Sequence, residues 1–374
     1  MISADFLVHK SNLQEAEWRE YTPQMLQEGE VRLKISSLAL TANNVTYAAF
    51  ADFAGYWNFF PTEDAALGRV PFWGFADVAQ SKCAGVEIGQ RYYGYLPASS
   101  ELIVQPGRIT PFGFTDISAH RKSLPGFYNI LHLTETDSAY KAEFEDIQML
   151  IRPLYATGWL IDDYIRHPAP NQARQTVPNH VIVSSASAKT SLAYASVAKK
   201  RGGMKLTGLT SPGNIAFTEA SGFYDTVISY EDLDQLPQAG PALHVDIRGT
   251  PALRPKLEAA AGGQLMAHLQ VGATDWEAPR KVGLGQSGGA QGAKDIRAPN
   301  EVFFAPGHVE ICAARMGPKQ MQQSLNADMC AFYPKAAELL TIEPITAYAE
   351  LVKAWQDTVT GKISPTKGLI VKFD

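Results

Sequence analysis

The chain predicts an α/β fold in two parts, a β-rich unit and a doubly wound parallel sheet. Three observations predict it. From Val181 onward, short β-branched runs alternate with helix-patterned segments, the mark of βαβ units. Residues 1 to about 105 instead read as strands and turns. The chain then closes with one more helix and one more strand. A length of 374 residues allows one or two domains, and 45% apolar content allows a large core.

In chain order, Val31 to Ile35 (VRLKI) alternates apolar and polar, as a half-buried strand does. Gly85 to Tyr95 reads as turn, strand, turn, and Leu102 to Val104 as a short strand. Between them, Asn43 to Trp73 concentrates aromatic residues: a hydrophobic plug or the wall of an apolar pocket. Residues 108 to 145 read as irregular. Residues 146 to 166 form a helix with a kink near Pro153, and a Pro-rich connector follows.

The stretch VIVSSASAKTSLAYASVAKKRGG, Val181 to Gly203, organises the rest. Val181 to Val183 is a buried-strand run, Ser184 to Lys189 a tight polar turn, and Leu192 to Ala198 an apolar helix face. Lys199, Lys200 and Arg201 followed by Gly202 end that helix. A helix opening straight out of a strand offers N–H groups and partial positive charge to an anion, the seat a dinucleotide pyrophosphate takes. The glycine fingerprint is absent: its positions fall on Ser185, Ala188 and Ser191. Ser and Thr hydroxyls and the Lys189 ammonium are the alternative phosphate donors, and an ordinary βα turn is the competing explanation.

Beyond it, strands are expected at Lys205 to Leu209, Thr226 to Ser229, Leu243 to Ile247, Gln264 to Val271 and Glu301 to Phe304. Helices are expected at Ile215 to Ala220 and Leu253 to Ala261. Residues 278 to 298 are a long Gly-rich loop. The closing elements are a helix from Ala347 to Thr358 and a strand from Gly368 to Phe373.

A net charge of −5 argues against nucleic acid and anionic membranes as partners. No apolar run of ~18 residues predicts a membrane span, and the first residues lack a signal-peptide layout. Cys83, Cys312 and Cys330 are scattered, which points to a cytoplasmic protein without a disulfide framework. His120, His132 and His167 show no paired ligand spacing, so no metal site is expected. A Ser–Lys hydrolase fails on spacing, because S-x-x-K with Lys189 needs Ser at Ala186.

The element order and several local matches resemble the medium-chain dehydrogenase/reductase (MDR) superfamily. FYDTVISYED is similar to its G-A-x-x-V-I-x-Y stretch, HVDIRG to its VxDxxG strand, and AYAELVKAWQDTVTGKISPTKGLIVKF to its usual ending. WGFADVAQS and SSASAKTS resemble a zinc-free MDR-like group defined only as a domain of unknown function. The resemblance implies a GroES-like domain at 1–150 and 312–374 and a Rossmann domain at 151–311. Where zinc-dependent members carry ligands, this chain has Asn44, Tyr47, Gly74-Phe75-Ala76 and Tyr155. None suits zinc, so zinc-independent chemistry is implied.

The resemblance further implies NAD(P)H and hydride transfer to a conjugated carbonyl: a quinone, an enone or an enoyl thioester. Asn44 is placed near the nicotinamide. Tyr56, in Gly55-Tyr56, is the candidate proton donor, with Tyr47 and Tyr155 as rivals. The cofactor set comprises Ser185, Ser187, Ala188, Lys189, Thr190, Thr210, Ser211, Asn214 and Tyr230, with Val271, Gly272 and Phe304 at the later strand ends. After the second strand, Thr210, Ser211 and Asn214 offer hydroxyls and amides, and no carboxylate appears until Glu219. That favours NADP over NAD. Superfamily relatives are often dimers. The competing expectation is a non-catalytic nucleotide-binding or scaffold protein that kept the fold.

Overall fold

The computed structural model describes residues 3–169, 172, 174–247, 249, 251–271 and 298–373. The chain divides into two compact units, residues 1–150 with 340–374, and residues 151–339. Residues 312–339, expected in the first unit, group with the second. They form the end of the helix Ala305–Met316 and all of the helix Pro318–Leu339, which pack on each other.

In the first unit, Val31–Leu40 and Pro71–Ser81 pair antiparallel, and Arg91–Pro97 extends the sheet. Gly74 sits opposite Leu38 and Gly94 in this register. A Cβ there would lie 2.1 Å from the Ser37 carbonyl oxygen, so the close pairing needs glycine. The segment 108–145, expected to be irregular, supplies three short strands to the same sheet: Pro106–Thr110, Gly113–Asp116 and Ile130–Leu133. Their brevity and the interrupting Pro111 hide the period-two signal. The closing strand Lys367–Lys372 returns antiparallel to Val31–Leu40, with Leu369 opposite Leu40. A smaller sheet joins Ala4–His9 with Asn12–Glu20 and Leu67–Gly68. Trp355, on the helix Tyr348–Val359, is buried and donates from Nε1 to the Leu13 carbonyl at 2.6 Å.

The second unit holds a parallel sheet, six-stranded among the described residues. Its spatial order is Thr226–Ser229, Lys205–Thr210, His180–Ser184, Ala242–Asp246, Leu265–Gln270, Asn300–Val302. Numbered along the chain, this is 3-2-1-4-5-6, so the order reverses between His180–Ser184 and Ala242–Asp246, where open α/β sheets bind ligands. The β-branched run at Val181 to Val183 is fully buried, as a central parallel strand requires. The helix Lys189–Arg201 covers it, burying Leu192, Tyr194, Ala195 and Val197. The helix Glu145–Arg166 runs through Pro153 and carries the chain from the first unit into the second. It crosses Lys189–Arg201 at Gly158, where a Cβ would lie 2.5 Å from the Tyr194 nitrogen. Among the described residues, no helix is long and apolar enough to cross a membrane. The expected loop at 278–298 lies almost wholly outside the described residues.

Candidate functional site

The first candidate site is the turn from Ser184 to Lys189 at the sheet's switch point. Ser185 takes φ 52°, a left-handed conformation that glycine adopts freely and serine seldom does. Its N–H donates to the Tyr230 hydroxyl at 2.7 Å, while the Tyr230 N–H donates to the Thr210 carbonyl at 3.0 Å. Ala186 is buried over Gly208 of the neighbouring strand, where a Cβ would lie only 2.8 Å from the Ala186 methyl. The close approach that a fingerprint glycine provides within the turn is provided here by a glycine facing it.

Ala188 occupies the N-cap of the helix Lys189–Arg201, and no side chain caps that end. Lys189 is the first helical residue, and burial pushes its ammonium down to about 8. Thr190 is half-buried beside it. Thr210 and Ser187 are buried and bonded to each other, Oγ1 to Oγ at 3.3 Å, and Ser191 turns its hydroxyl inward to the Ser184 carbonyl at 3.5 Å. These three brace the turn, and Lys189 with the first helical turn is the part suited to an anion. Past Thr210, Ser211 is exposed and starts the turn Pro212–Asn214, where the Asn214 N–H donates to the Ser211 carbonyl at 2.9 Å.

A residue outside the expected set locks the switch point. Asp246, fully buried at the end of Ala242–Asp246, accepts from Ser184 Oγ at 3.2 Å and from the Gly249 N–H at 2.8 Å. The Ile247 N–H donates back to Ser184 Oγ at 3.2 Å. The available signal was HVDIRG, an acid ending an apolar strand.

The second candidate site is the aromatic segment of the first unit, which folds as the helices Ala42–Ala49 and Ala51–Ala54 and a single turn, Tyr56–Phe59. Tyr47 is buried at its centre. Its oxygen accepts from Trp73 Nε1 at 3.0 Å and from Asn43 Nδ2 at 2.8 Å. Tyr56 lies 4.9 Å from the Tyr47 ring, centroid to centroid, and Tyr95 lies 5.2 Å from it. Tyr128 joins the cluster from the turn Gly126–Asn129, with its ring 4.6 Å from Tyr95. The Tyr56 and Tyr128 hydroxyls are 3.5 Å apart. Burial raises both phenols above their ordinary value, so both are protonated near neutral pH. Tyr128 came from the segment read as irregular, and no sequence signal places it beside Tyr56.

The model of a family described as "Protein of unknown function (DUF2855)" matches residues 38–364. The chain belongs to this family. No curated protein matches it. Among solved structures, the chain is similar to CurA from Vibrio vulnificus in complex with NADPH (TM-score 0.60, 11% identity, covering 96% of this chain and 94% of that one). It is also similar to the quinone oxidoreductase of Pseudomonas syringae pv. tomato DC3000 (TM-score 0.57, 14% identity, 99% and 100%). A third is the yhdH oxidoreductase of Salmonella enterica in complex with NADP (TM-score 0.54, 12% identity, 100% of each chain). The fold of this family member is thus the one these solved structures share, a GroES-like sheet unit plus a Rossmann unit.

Within that fold the expected residues separate. Asn44 is buried, and its amide is committed to structure: Oδ1 accepts from the Thr41 N–H at 2.7 Å and Nδ2 donates to the Pro71 carbonyl at 2.8 Å. It closes a capping box at the start of Ala42–Ala49, a different task from the one expected at a nicotinamide. Tyr155 lies in the second unit, packed on Phe332 with ring centroids 5.2 Å apart and its hydroxyl turned to Ser196. Only Tyr47 and Tyr56 of the three candidate tyrosines therefore share a cluster. Val271 is half-buried, and its N–H donates to the Asp246 carbonyl at 3.1 Å. Phe304 is exposed and precedes the helix Ala305–Met316, and Gly272 lies outside the described residues. Among the described residues, no group of three His, Cys, Asp or Glu is placed to hold a metal ion.

Proposed function

We propose that the protein is an NADP(H)-dependent oxidoreductase that works without zinc and reduces a conjugated carbonyl. One observation carries this: at the switch point of a 3-2-1-4-5-6 sheet, an uncapped helix begins with Lys189, and the adjoining strand ends in Thr210 and Ser211 without a carboxylate. The NADPH and NADP complexes of the structural neighbours support the same cofactor.

The donor set fits a phosphorylated dinucleotide. Lys189 and the first-turn N–H groups would hold the pyrophosphate, and Ser211, Asn214 and Tyr230 would meet the 2′-phosphate. When bound, the cofactor supplies a hydride. The first unit's residues receive the substrate: the Trp73, Tyr47 and Tyr95 rings form an apolar wall, and the Tyr56 hydroxyl gives the proton or hydrogen bond that the carbonyl oxygen needs. Tyr47, with two donors already on its oxygen, serves as wall.

Calorimetric titration with NADPH and NADH tests the cofactor. The expected outcome is tighter NADPH binding, lost in Lys189→Ala and reversed toward NADH in Ser211→Asp. Absence of binding to either nucleotide overturns the proposal. A second reading, a non-catalytic nucleotide-binding or scaffold protein, is favoured by Tyr230 occupying the Ser185 N–H that a phosphate-binding turn would present. Nucleotide binding without turnover of any quinone, enone or enoyl thioester supports it.

A further inference from the structure

In the aromatic cluster, the buried tyrosine Tyr47 has its oxygen satisfied by Trp73 and Asn43. The half-buried pair differs. Among the described residues, the Tyr56 and Tyr128 hydroxyls have only each other as polar partners, at 3.5 Å. That is too long for a good O–H···O bond, whose distance is about 2.7–2.8 Å. A single oxygen placed about 2.7 Å from both phenol oxygens would be bonded by each, at an angle of roughly 80° between the two donors. Two such donors aimed at one point are what an oxyanion requires.

The two phenols are held rather than loosely placed. Tyr56 opens the turn Tyr56–Phe59 and Tyr128 lies in the turn Gly126–Asn129. Buried Arg121 ties these turns together. Its guanidinium bonds Asn129 Oδ1 at 3.2 Å, pairs with Asp116 at 3.0 Å, and lies 4.8 Å over the Phe60 ring and 5.6 Å over the Phe59 ring. Asn129 Nδ2 reaches back to the Arg121 carbonyl at 3.4 Å. Around the pair the surfaces are flat rings: Tyr95 against Tyr128 at 4.6 Å, Phe59 against Tyr128 at 5.4 Å, and exposed Phe127 beside Trp73 at 5.9 Å.

We propose that Tyr56 and Tyr128 together form a two-donor clamp for the oxygen of a planar, conjugated carbonyl or its enolate. Tyr128 is thereby a second substrate-contacting residue beside Tyr56. The assignment rests on reading the first unit as the substrate-bearing one. Because both phenols are protonated, the clamp favours an anionic oxygen over a neutral hydroxyl.

The probe is 4-nitrophenol, whose phenolate is a planar conjugated oxyanion with its own visible absorbance, titrated into the full-length protein without nucleotide. The expected result is binding of the phenolate form, with the probe ionising at lower pH on the protein than in solution. Tyr56→Phe and Tyr128→Phe each weaken binding at least tenfold, and both melt at the wild-type temperature because the rings stay in place. No binding to wild type, binding of the neutral phenol only, or unchanged affinity in both variants overturns the clamp. Nucleotide is absent throughout, so a failure of cofactor binding and a failure of the clamp are read separately.

Discussion

The Tyr230 hydroxyl lies 2.7 Å from the backbone nitrogen of Ser185, the one residue of the switch-point turn with a positive φ. The phenol holds a serine in a conformation suited to glycine. Left-handed backbone costs a non-glycine residue roughly 1–2 kcal/mol. Ser185→Gly is therefore expected to stabilise the protein by about 1 kcal/mol, partly offset by the freer unfolded chain. Urea unfolding of both proteins measures it, and a less stable variant refutes the strain.

Lys189 makes the proposed nucleotide seat pH-dependent. Its ammonium loses its proton near pH 8 instead of near 10.5. NADPH affinity should be greatest below pH 8 and fall above it, and Lys189→Met should remove that dependence. The stability sign follows from the same shift. Between about pH 8 and 10.5 the unfolded chain keeps the proton that the folded one has released, so the free protein gains stability as pH rises through that window. Calorimetry at several pH values reads the first effect and denaturant titration the second.

Tyr47→Phe separates wall from donor. The substitution keeps the ring but leaves Trp73 Nε1 and Asn43 Nδ2 without their acceptor, at a cost of about 1–3 kcal/mol. A lowered melting temperature with turnover retained is the expected outcome. Loss of turnover at wild-type stability would instead give Tyr47 a chemical role.

Much of the second unit is legible in the sequence because each element carries a local signal. Ile215–Ala220 and Thr226–Ser229 occur where the apolar runs and Gly222 place them. The helices Ala305–Met316 and Pro318–Leu339 are hidden in the sequence, because Pro306, Gly307, Pro318 and Pro334 look like breakers. Pro318 is instead the first helical residue, where proline costs nothing. The turn Ser184 to Lys189 is legible from strand-then-helix patterning alone. Two partnerships have no local signal: Tyr128 meets Tyr56 across 72 residues of chain, and Asp246, though marked by HVDIRG, meets Ser184 across 62.

Acid should weaken the second unit through His244. It lies in the sheet interior, its Nδ1 2.9 Å from Nδ1 of buried His268. Burial pushes its imidazole down to about 3 and lowers His268 as well. Below about pH 6.5 the unfolded chain takes up a proton that folded His244 refuses, so the stability present above pH 6.5 is lost as pH falls toward 3. Facing the pair are Glu258, Asp246 and Arg254. In urea titrations at pH 7.5 and 5, the loss should shrink in His244→Asn, and an equal loss in both proteins would exclude His244 as its source.

The closing strand Lys367–Lys372 pairs with Ser37–Leu40 across more than 300 residues of chain, whereas the second unit is contiguous and complete at Leu339. During synthesis the Rossmann unit can therefore finish folding while the first sheet still waits for its last strand. Until then Ser37–Leu40 has an unpaired hydrogen-bonding edge on that side, open to another chain. A ribosome that stops short of Lys367 would release a nascent chain whose second unit is whole and whose other half is adhesive.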